Sequence, residues 1–183
     1  MVRTFIAGEI SAKDEISKVQ NRISRYFIHS NMKQVEQDKL HFTLLFLGEI
    51  NEQKIEEIKP KLADIKFQQI TFNYSELDGF PDPTRCNIIF YGVQGIAKYK
   101  FGNLLDEIKS KINNSKGNNM ENFIPHLTLL RLRSGRLNLT PIRNQEEFII
   151  TKSDIINRIC FKQSILTPKG PVYTDLLTVR AQK

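Results

Sequence analysis

The chain has 183 residues, of which 40% are hydrophobic and 26% charged, a balance typical of a folded globular domain and not of a disordered chain. Its formal net charge of +7 favours polyanionic partners such as RNA, although lysine-rich solvated helices would give the same value. No apolar run approaches the ~20 residues of a membrane helix, charges come too early for a signal peptide, and the two cysteines lack metal-ligand spacing, so we expect a cytoplasmic protein with reduced thiols.

Hydrophobic periodicity predicts that strands and helices alternate through the first half of the chain. Strands are expected over residues 4–10, 34–37 and 40–47, the second of them short and at a sheet edge. Ser11 and Asn51 stand where two helices should begin, and their side chains are of the type that caps a helix N-terminus. Pro60 lies inside the second helical pattern, and we expect it to kink or interrupt that helix.

The second half shows much the same order of elements. Strands are expected over residues 67–77, 87–93 and 172–179, with a further strand after Pro125 and one or two between 148 and 166. A helix is expected over 99–112, a rigid loop over 79–83 and a polar loop over 113–119. The pattern predicts a mixed α+β fold, a duplicated two-lobed unit in which antiparallel sheets line a central cleft and helices lie outside.

One short pattern, His-x-Thr, occurs twice and uses two of the three histidines in the chain. The copies are His41 with Thr43 and His126 with Thr128, each at the start of an apolar strand. Residues i and i+2 of a strand share a face, so each copy presents an imidazole beside a hydroxyl, and the residue between them should face the core. A lone histidine in a strand is more often a packed, hydrogen-bonded residue. The repeat instead favours a cleft with two proton-transfer groups, suited to chemistry on a phosphate ester.

The spacing of the two copies indicates how the chain is organised. They are 85 residues apart, close to half of the chain. No segment rich in proline and serine separates the halves, so we expect residues 1–183 to form a single domain made of two pseudo-symmetric lobes. The catalytic cleft should lie between the lobes, because pockets favour such interfaces.

The segments around the two copies resemble those of a known family. KLHFTLLFLGEI and IPHLTLLRLR are similar to the two signature motifs of the 2H phosphoesterase superfamily, in its branch of archaeal and bacterial RNA 2′,3′-cyclic phosphodiesterases, historically called 2′-5′ RNA ligases. The segments VRTFIAGEIS, LDGFPDPTRCNIIFYGV and ILTPKGPVYTDL are similar to further parts of that family, so the resemblance covers nearly the full length. The paired motifs are its specific part.

The resemblance implies roles for five residues. His41 and His126 match the catalytic histidines, and Thr43 and Thr128 match the residues that hydrogen-bond the phosphate oxygens. Arg131 matches an arginine that extends the second motif to HxTxxR and helps to hold the phosphate. Strict strand alternation points residue 131 away from the face of residue 126, so a β-bulge or the strand end would have to redirect it.

The resemblance also implies an enzyme, a hydrolase that opens RNA 2′,3′-cyclic phosphates to 2′-phosphates without a metal or other cofactor. One histidine would take a proton from water and the other would protonate the leaving 3′ oxygen; we expect His126 to be the base and His41 the acid. The reverse reaction would join RNA ends through a 2′-5′ bond. The expected partners are RNAs with cyclic phosphate ends, such as tRNA halves, or small cyclic nucleotides. We expect a monomer with no membrane partner.

Two other functions remain open at this point. A basic RNA-binding module of the same fold without physiological turnover would explain the net charge, but it gives no reason for two intact motifs. A metal enzyme would use His29, His41 and His126 as ligands, yet no carboxylate or second histidine stands near either motif at ligand spacing. Three aromatic residues are candidates for stacking on bases, although packing is the commoner role of such rings: Tyr26, Phe80 and Tyr173.

Overall fold

The computed structural model describes residues 1–113, 123–168 and 170–182. The helices in these ranges are α1 (Lys13–Tyr26), α2 (Glu52–Ala63) and α3 (Ala97–Lys111). The strands of the first half are β1 (Val2–Glu9), β2 (Met32–Gln34), β3 (His41–Ile50), β4 (Ile70–Phe72) and β5 (Tyr74–Phe80). Those of the second half are β6 (Ile88–Val93), β7 (Leu127–Leu132), β8 (Asp154–Ile156), β9 (Arg158–Thr167) and β10 (Gly170–Arg180). Short 3-10 helices lie at Gln37–Lys39 and Glu146–Phe148.

The mixed α+β fold expected from the sequence is confirmed by these elements. Most of the polar loop predicted over 113–119 lies outside the described residues. Within the described ranges, no helix combines the length and the apolar character needed to cross a membrane.

One antiparallel sheet carries both His-x-Thr copies. Its strand order is β10-β9-β1-β3-β7-β6-β5, and β2 pairs with β7 off this path. β3 and β7 are joined by a single residue pair, Phe42 with Leu127. The expected sheets on either side of the cleft are therefore two arms of one sheet, which meet at this pair and leave the cleft between them.

The face of the sheet opposite the cleft forms the core. Phe42 and Leu127, the residues between His and Thr in the two copies, are both fully buried, as the strand alternation predicted. The Phe42 ring packs against Phe72 of β4 and Phe101 of α3, with centroid distances of 5.3 and 5.1 Å. This packing fixes which face of β3 turns toward the cleft.

One strand prediction and the loop prediction that follows it are wrong in detail. The segment predicted as one strand over 67–77 divides at Asn73, because β4 pairs with β8 in a separate two-stranded sheet while β5 joins the main sheet. β5 continues through Gly79, so the predicted rigid loop begins only at Pro81. A Cβ at Gly79 would lie 2.4 Å from the Cβ of Cys86, so this glycine permits a close approach that no other residue would allow.

β2 lies earlier than the edge strand predicted over 34–37. It occupies Met32–Gln34 and pairs with β7, and a 3-10 helix follows over Gln37–Lys39. This 3-10 helix leads directly into β3, so it places backbone carbonyls immediately beside the first His-x-Thr copy.

The start of α1 differs from the prediction. The helix begins at Lys13, and Ser11 does not cap it. Asp154 of β8 takes this role: its carboxylate accepts hydrogen bonds from the backbone N–H groups of Ser11 and Ala12, both at 3.0 Å, and one from the Tyr74 hydroxyl. A carboxylate there satisfies N-terminal amides and complements the helix dipole. The sequence did not reveal this cap because Asp154 is more than 140 residues away along the chain.

α2 begins as predicted, since the Asn51 side chain accepts a backbone hydrogen bond from the first turn at 2.8 Å. Pro60 does not interrupt the helix, which runs through it to Ala63. The buried residues Ile58 and Leu62 hold this turn on the core, and such packing contributes more to a helix in a protein than one backbone hydrogen bond removes.

Candidate active site

The first histidine is held by the backbone that leads into β3. Nδ1 of His41 lies 2.7 Å from the carbonyl oxygen of Lys39. A carbonyl oxygen only accepts, so Nδ1 carries the proton of the neutral ring and Nε2 is the nitrogen that can exchange one. The ring packs against Phe5 of β1 and Tyr173 of β10, at centroid distances of 5.1 and 5.6 Å. These contacts fix the orientation of the imidazole.

The second histidine is held in the same way at the start of β7. Nδ1 of His126 lies 2.9 Å from the carbonyl oxygen of Ile124, again two residues earlier. Its ring packs edge-on against Phe80 and Phe90, at centroid distances of 5.1 and 5.4 Å. Nε2 is therefore again the nitrogen available for proton transfer.

A single cleft of about 400 Å³ joins the two copies. Its walls include all five residues singled out in the sequence: His41, Thr43, His126, Thr128 and Arg131. The arrangement offers two imidazoles, two hydroxyls and one guanidinium to a ligand in one space. Such a set can hold an anionic oxygen-rich group and transfer protons at it.

A β-bulge turns Arg131 toward this cleft. On β6, Phe90 pairs with Thr128 but its neighbour Ile89 pairs with Leu130, so Leu129 is an extra residue in β7. An extra residue reverses the alternation of the strand. Arg131 therefore lines the same cleft as His126 despite the odd spacing. Of the two features that could redirect it, a β-bulge or the strand end, the structure has the bulge.

β3 contains the same bulge at the matching position. On β1, Ala7 pairs with Thr43 and Ile6 pairs with Leu45, which leaves Leu44 as the extra residue. The bulge brings Phe46 to the cleft wall. Phe46 is the fifth residue after its motif histidine, as Arg131 is after the other, so sequence comparison of the two copies would have indicated this residue.

Burial lowers the pKa of both imidazoles. It lowers the pKa of His41 to about 4 and lowers the pKa of His126 below its ordinary value, while the backbone hydrogen bonds act in the opposite direction. The Lys162 ammonium further lowers the pKa of His41 and the Glu9 carboxylate raises it; Arg131 lowers the pKa of His126. Both rings are therefore neutral near pH 7 without a ligand, and a bound anion would favour their protonation.

A cluster of charges beside His41 was not identified from the sequence. Glu9 is the cross-strand neighbour of His41, and the Lys162 ammonium lies 2.7 Å from the Glu9 carboxylate and 2.5 Å from that of Asp175. Ligand atoms of Glu9, Cys160 and Asp175 lie within 4.8 Å of one another, as in a cation site. The Lys162 ammonium occupies the position of the positive charge between these groups, so it compensates the carboxylates of Glu9 and Asp175.

The remaining sequence candidates lie in different places. His29 is exposed in the turn after α1 and does not line the cleft, so the three histidines do not form a ligand set. Tyr26 is on the outside of α1 against Phe27, away from the cleft. Phe80 stacks on Phe90 and is used in packing. Tyr173 does line the cleft, but its ring contacts Phe5 and His41 edge-on.

The family model described as LigT like Phosphoesterase matches residues 9–90, which contain the first His-x-Thr copy. An RNA 2′,3′-cyclic phosphodiesterase from Aquifex aeolicus is 34% identical over 95% of this chain and 94% of its own. A protein of the same name from Aeropyrum pernix is 35% identical over 82% of this chain and 86% of its own. The chain belongs to the LigT-like phosphoesterase family.

Solved structures of this fold agree over nearly the whole chain. A crystal structure of a Thermus thermophilus protein has a TM-score of 0.77 at 22% identity and covers 97% of both chains. The crystal structure of E. coli LigT in apo form has a TM-score of 0.76 at 21% identity and covers 100% of this chain and 98% of that one. At these identities the structures support the LigT-like fold of both arms.

Proposed function

We propose that this chain is an RNA 2′,3′-cyclic phosphodiesterase that opens terminal cyclic phosphates to 2′-phosphates by acid–base catalysis with His41 and His126. The observation that carries the proposal is one cleft in which two imidazoles, each held through Nδ1, face two threonine hydroxyls and a guanidinium. Relatives over nearly the full chain are named for this activity. Residues 1–183 act as one domain of two lobes, as a cytoplasmic monomer.

The two histidines have different roles in this proposal: His126 takes the proton of the attacking water, and His41 protonates the leaving 3′ oxygen. A second cavity of about 80 Å³ supports the assignment, because it adjoins His126 but not His41. A cavity of this size holds several water molecules. It is lined by Thr43, Leu44, Leu45, Phe46, Phe123, Ile124 and His126. Water entering this cavity would lie next to the proposed base.

The phosphate is held by the remaining site residues. The hydroxyls of Thr43 and Thr128 and the Arg131 guanidinium donate to its non-bridging oxygens, whose charge grows as water attacks phosphorus. The anionic phosphate also raises the pKa of His41 from its value of about 4. The acid is therefore protonated as substrate binds. The proposed steps use protein groups and water, with no metal or cofactor.

Phosphorus NMR of adenosine 2′,3′-cyclic phosphate incubated with the protein in EDTA tests this function. We expect the signal of the cyclic phosphate to be replaced by that of adenosine 2′-phosphate. The His41→Ala/His126→Ala double variant under the same conditions is the control. Formation of the 3′-phosphate contradicts the assigned leaving group. Loss of turnover in EDTA with recovery in Mn²⁺ or Zn²⁺ contradicts the two-histidine mechanism.

A second candidate function is RNA binding without turnover, which the net charge of +7 favours. Repeating that experiment with a short RNA that ends in a cyclic phosphate separates the two functions, because a binding module would retain this RNA and leave its cyclic phosphate unopened. The reverse reaction has a test of its own. RNA with a cyclic phosphate end, mixed with RNA bearing a 5′ hydroxyl, should yield a 2′-5′ linkage without added nucleotide.

A further inference from the structure

The two ends of the cleft differ in chemistry. Because β3 and β7 are antiparallel, the two motifs run in opposite directions along the cleft, so Phe46 lies toward one end and Arg131 toward the other. At the Arg131 end, Lys33 and Lys39 line the wall and both form ion pairs with Glu36. The Phe46 end is less polar, and the basic residue that lines it forms no such ion pair among the described residues.

Arg3 of β1 is the basic residue that lines the Phe46 end. Within the described ranges, no carboxylate lies within 4.0 Å of its guanidinium, and this includes Glu49, its neighbour on β3. The neighbour of Arg3 on β9 is Ser164, which lines the same cleft and is only 9% exposed. Its hydroxyl has no hydrogen-bond partner among the described residues. Because Ser164 lies on the cleft wall, this hydroxyl can donate a hydrogen bond to a ligand that enters the cleft.

Exposed apolar side chains stand beside these two donors. Phe46 is 65% exposed and Leu166 is 64% exposed, and both line the cleft. Exposed apolar surface within a cleft is typical of a ligand site. Aromatic faces also accept nucleic acid bases with little regard to sequence. The donors and the apolar surfaces together fit a nucleotide.

The strand register places Arg3 away from the reacting phosphate. Thr43 pairs with Ala7 of β1, and Arg3 is four residues further along that strand, a distance of about 13 Å at ~3.3 Å per residue. Phe46 pairs with Phe5, midway between Ala7 and Arg3. The two phosphates of one nucleotide lie closer together than this, so a nucleoside covering Phe46 would have one phosphate at the threonines, and the long Arg3 side chain would reach back along the strand to the second.

We infer that Arg3 and Ser164 bind the 5′ phosphate of the terminal nucleotide, the group that joins it to the rest of an RNA chain. The inference rests on the proposed function, since it takes the cyclic phosphate to lie at the two threonines. A guanidinium and a hydroxyl are suited to the non-bridging oxygens of a phosphodiester. The site thereby distinguishes an RNA end from a free nucleoside cyclic phosphate, which has no 5′ phosphate.

Steady-state kinetics with adenosine 2′,3′-cyclic phosphate and its 5′-phosphorylated form test this site. We expect kcat/KM of the wild-type enzyme to be about 10- to 100-fold higher for the 5′-phosphorylated substrate, the range for a hydrogen bond to a charged group. Arg3→Gln should reduce this ratio to about 1. It should leave kcat/KM unchanged for adenosine 2′,3′-cyclic phosphate, which has no 5′ phosphate. Ser164→Ala should reduce the ratio by a smaller factor. Arg25→Gln, an exposed arginine outside the cleft, is the matched control and should keep the ratio.

Three results would overturn the inference, and a fourth would count against the proposed function. A wild-type ratio of about 1, or an Arg3→Gln enzyme that keeps the wild-type ratio, overturns the inference. Equal losses on both substrates also overturn it, because Arg3 would then act at the reacting phosphate or in folding. Failure of the wild-type enzyme to open either substrate counts against the proposed function instead.

Discussion

In the first half of the cleft, the imidazole lies next to a buried cluster of charges on β1, β9 and β10, whereas in the second half it lies against two phenylalanine rings and near the Arg131 guanidinium. Both imidazoles are nevertheless held alike, through Nδ1 and the carbonyl two residues earlier. Both strands also bulge immediately after the motif threonine. The shared backbone places the two imidazoles, burial lowers the pKa of both, and the neighbours that differ shift each pKa further.

The comparison also separates what each half offers to a substrate. The residue five positions after the histidine is Phe46 in one half and Arg131 in the other, and both line the cleft. One half therefore gives an apolar face to the ligand and the other gives a positive charge. Two strands with matching bulges thus present different groups to one cleft, which suits the proposed substrate with one phosphate and one nucleoside.

The largest expected effect comes from removing either imidazole. His41→Ala and His126→Ala should each lower kcat by about 10²–10⁴-fold, because each proton transfer contributes about that much. The double variant should be little worse than either single one, since the two groups act as a unit. The measurement is kcat on a short RNA with a cyclic phosphate end, with thermal unfolding as the control for folding. A histidine whose loss leaves kcat near the wild-type value is structural.

Removing one of the proposed phosphate-binding groups should have a smaller effect, and the two halves should differ. Arg131→Ala should raise KM about 10- to 100-fold with less change in kcat, since it deletes a charged donor. Thr43→Ala and Thr128→Ala each delete one hydroxyl and should cost roughly 10-fold in kcat/KM. Thr→Ser at either position restores the hydroxyl and should recover most of the activity. Steady-state kinetics with adenosine 2′,3′-cyclic phosphate measure all of these. Equal losses for Ser and Ala variants would show that the methyl group matters and the hydroxyl does not.

The charge cluster lies beside His41 and not beside His126, so a change in it should shift the pKa of His41 alone. Lys162→Met leaves the Glu9 carboxylate less compensated beside His41, so the pKa of His41 should rise and one limb of the pH profile of kcat/KM should move to higher pH. Because the ammonium is almost fully buried between carboxylates, the variant should also lose about 3 kcal/mol in free energy of unfolding.

Lys54→Met is the matched control, since Lys54 forms an exposed ion pair with Glu57 on α2. This variant should change neither the pH profile nor, by more than about 1 kcal/mol, the free energy of unfolding. A Lys162 variant that loses stability without any change in the pH profile would show that the cluster serves folding alone.

The pH dependence of kcat/KM should be bell-shaped, because one histidine must be protonated and the other neutral. Burial lowers the pKa of both histidines in the free enzyme. We therefore expect the maximum to lie on the acid side of about 6.5, the ordinary histidine pKa. Initial rates at low substrate concentration, measured from about pH 4 to about pH 9, locate this maximum. A rate that rises steadily into alkaline pH contradicts the two-histidine assignment.

The smallest expected effect is on the acid dependence of folding in a His41 variant. The pKa of His41 is about 4 in the folded protein and close to about 6.5 in the unfolded chain, so the unfolded state binds more protons between these values. The contribution of His41 to stability is fully present above about pH 6.5 and is lost as the pH falls toward about 4. Thermal unfolding should show a shallower decline over this range for His41→Gln than for the wild-type protein. Parallel declines would mean that other groups account for the acid destabilisation.

Much of the fold could be predicted because it depends on local patterns. Alternation of apolar residues located most strands, and Asn51 marked the start of α2. The prediction failed where a distant residue replaced a local one. Asp154, from the other end of the chain, caps α1 in place of Ser11. The packing of Ile58 and Leu62 on the core likewise carries α2 through Pro60.

The sequence by itself determined that two imidazole–hydroxyl pairs exist and that each pair shares one strand face, because the two-residue period of a strand needs only neighbouring residues. Only the tertiary structure decided that both pairs line one cleft, that a bulge turns Arg131 into it, and that His41 has a pKa of about 4. These properties depend on strand pairing and burial, which involve residues far apart in the chain. No local sequence pattern could therefore predict them.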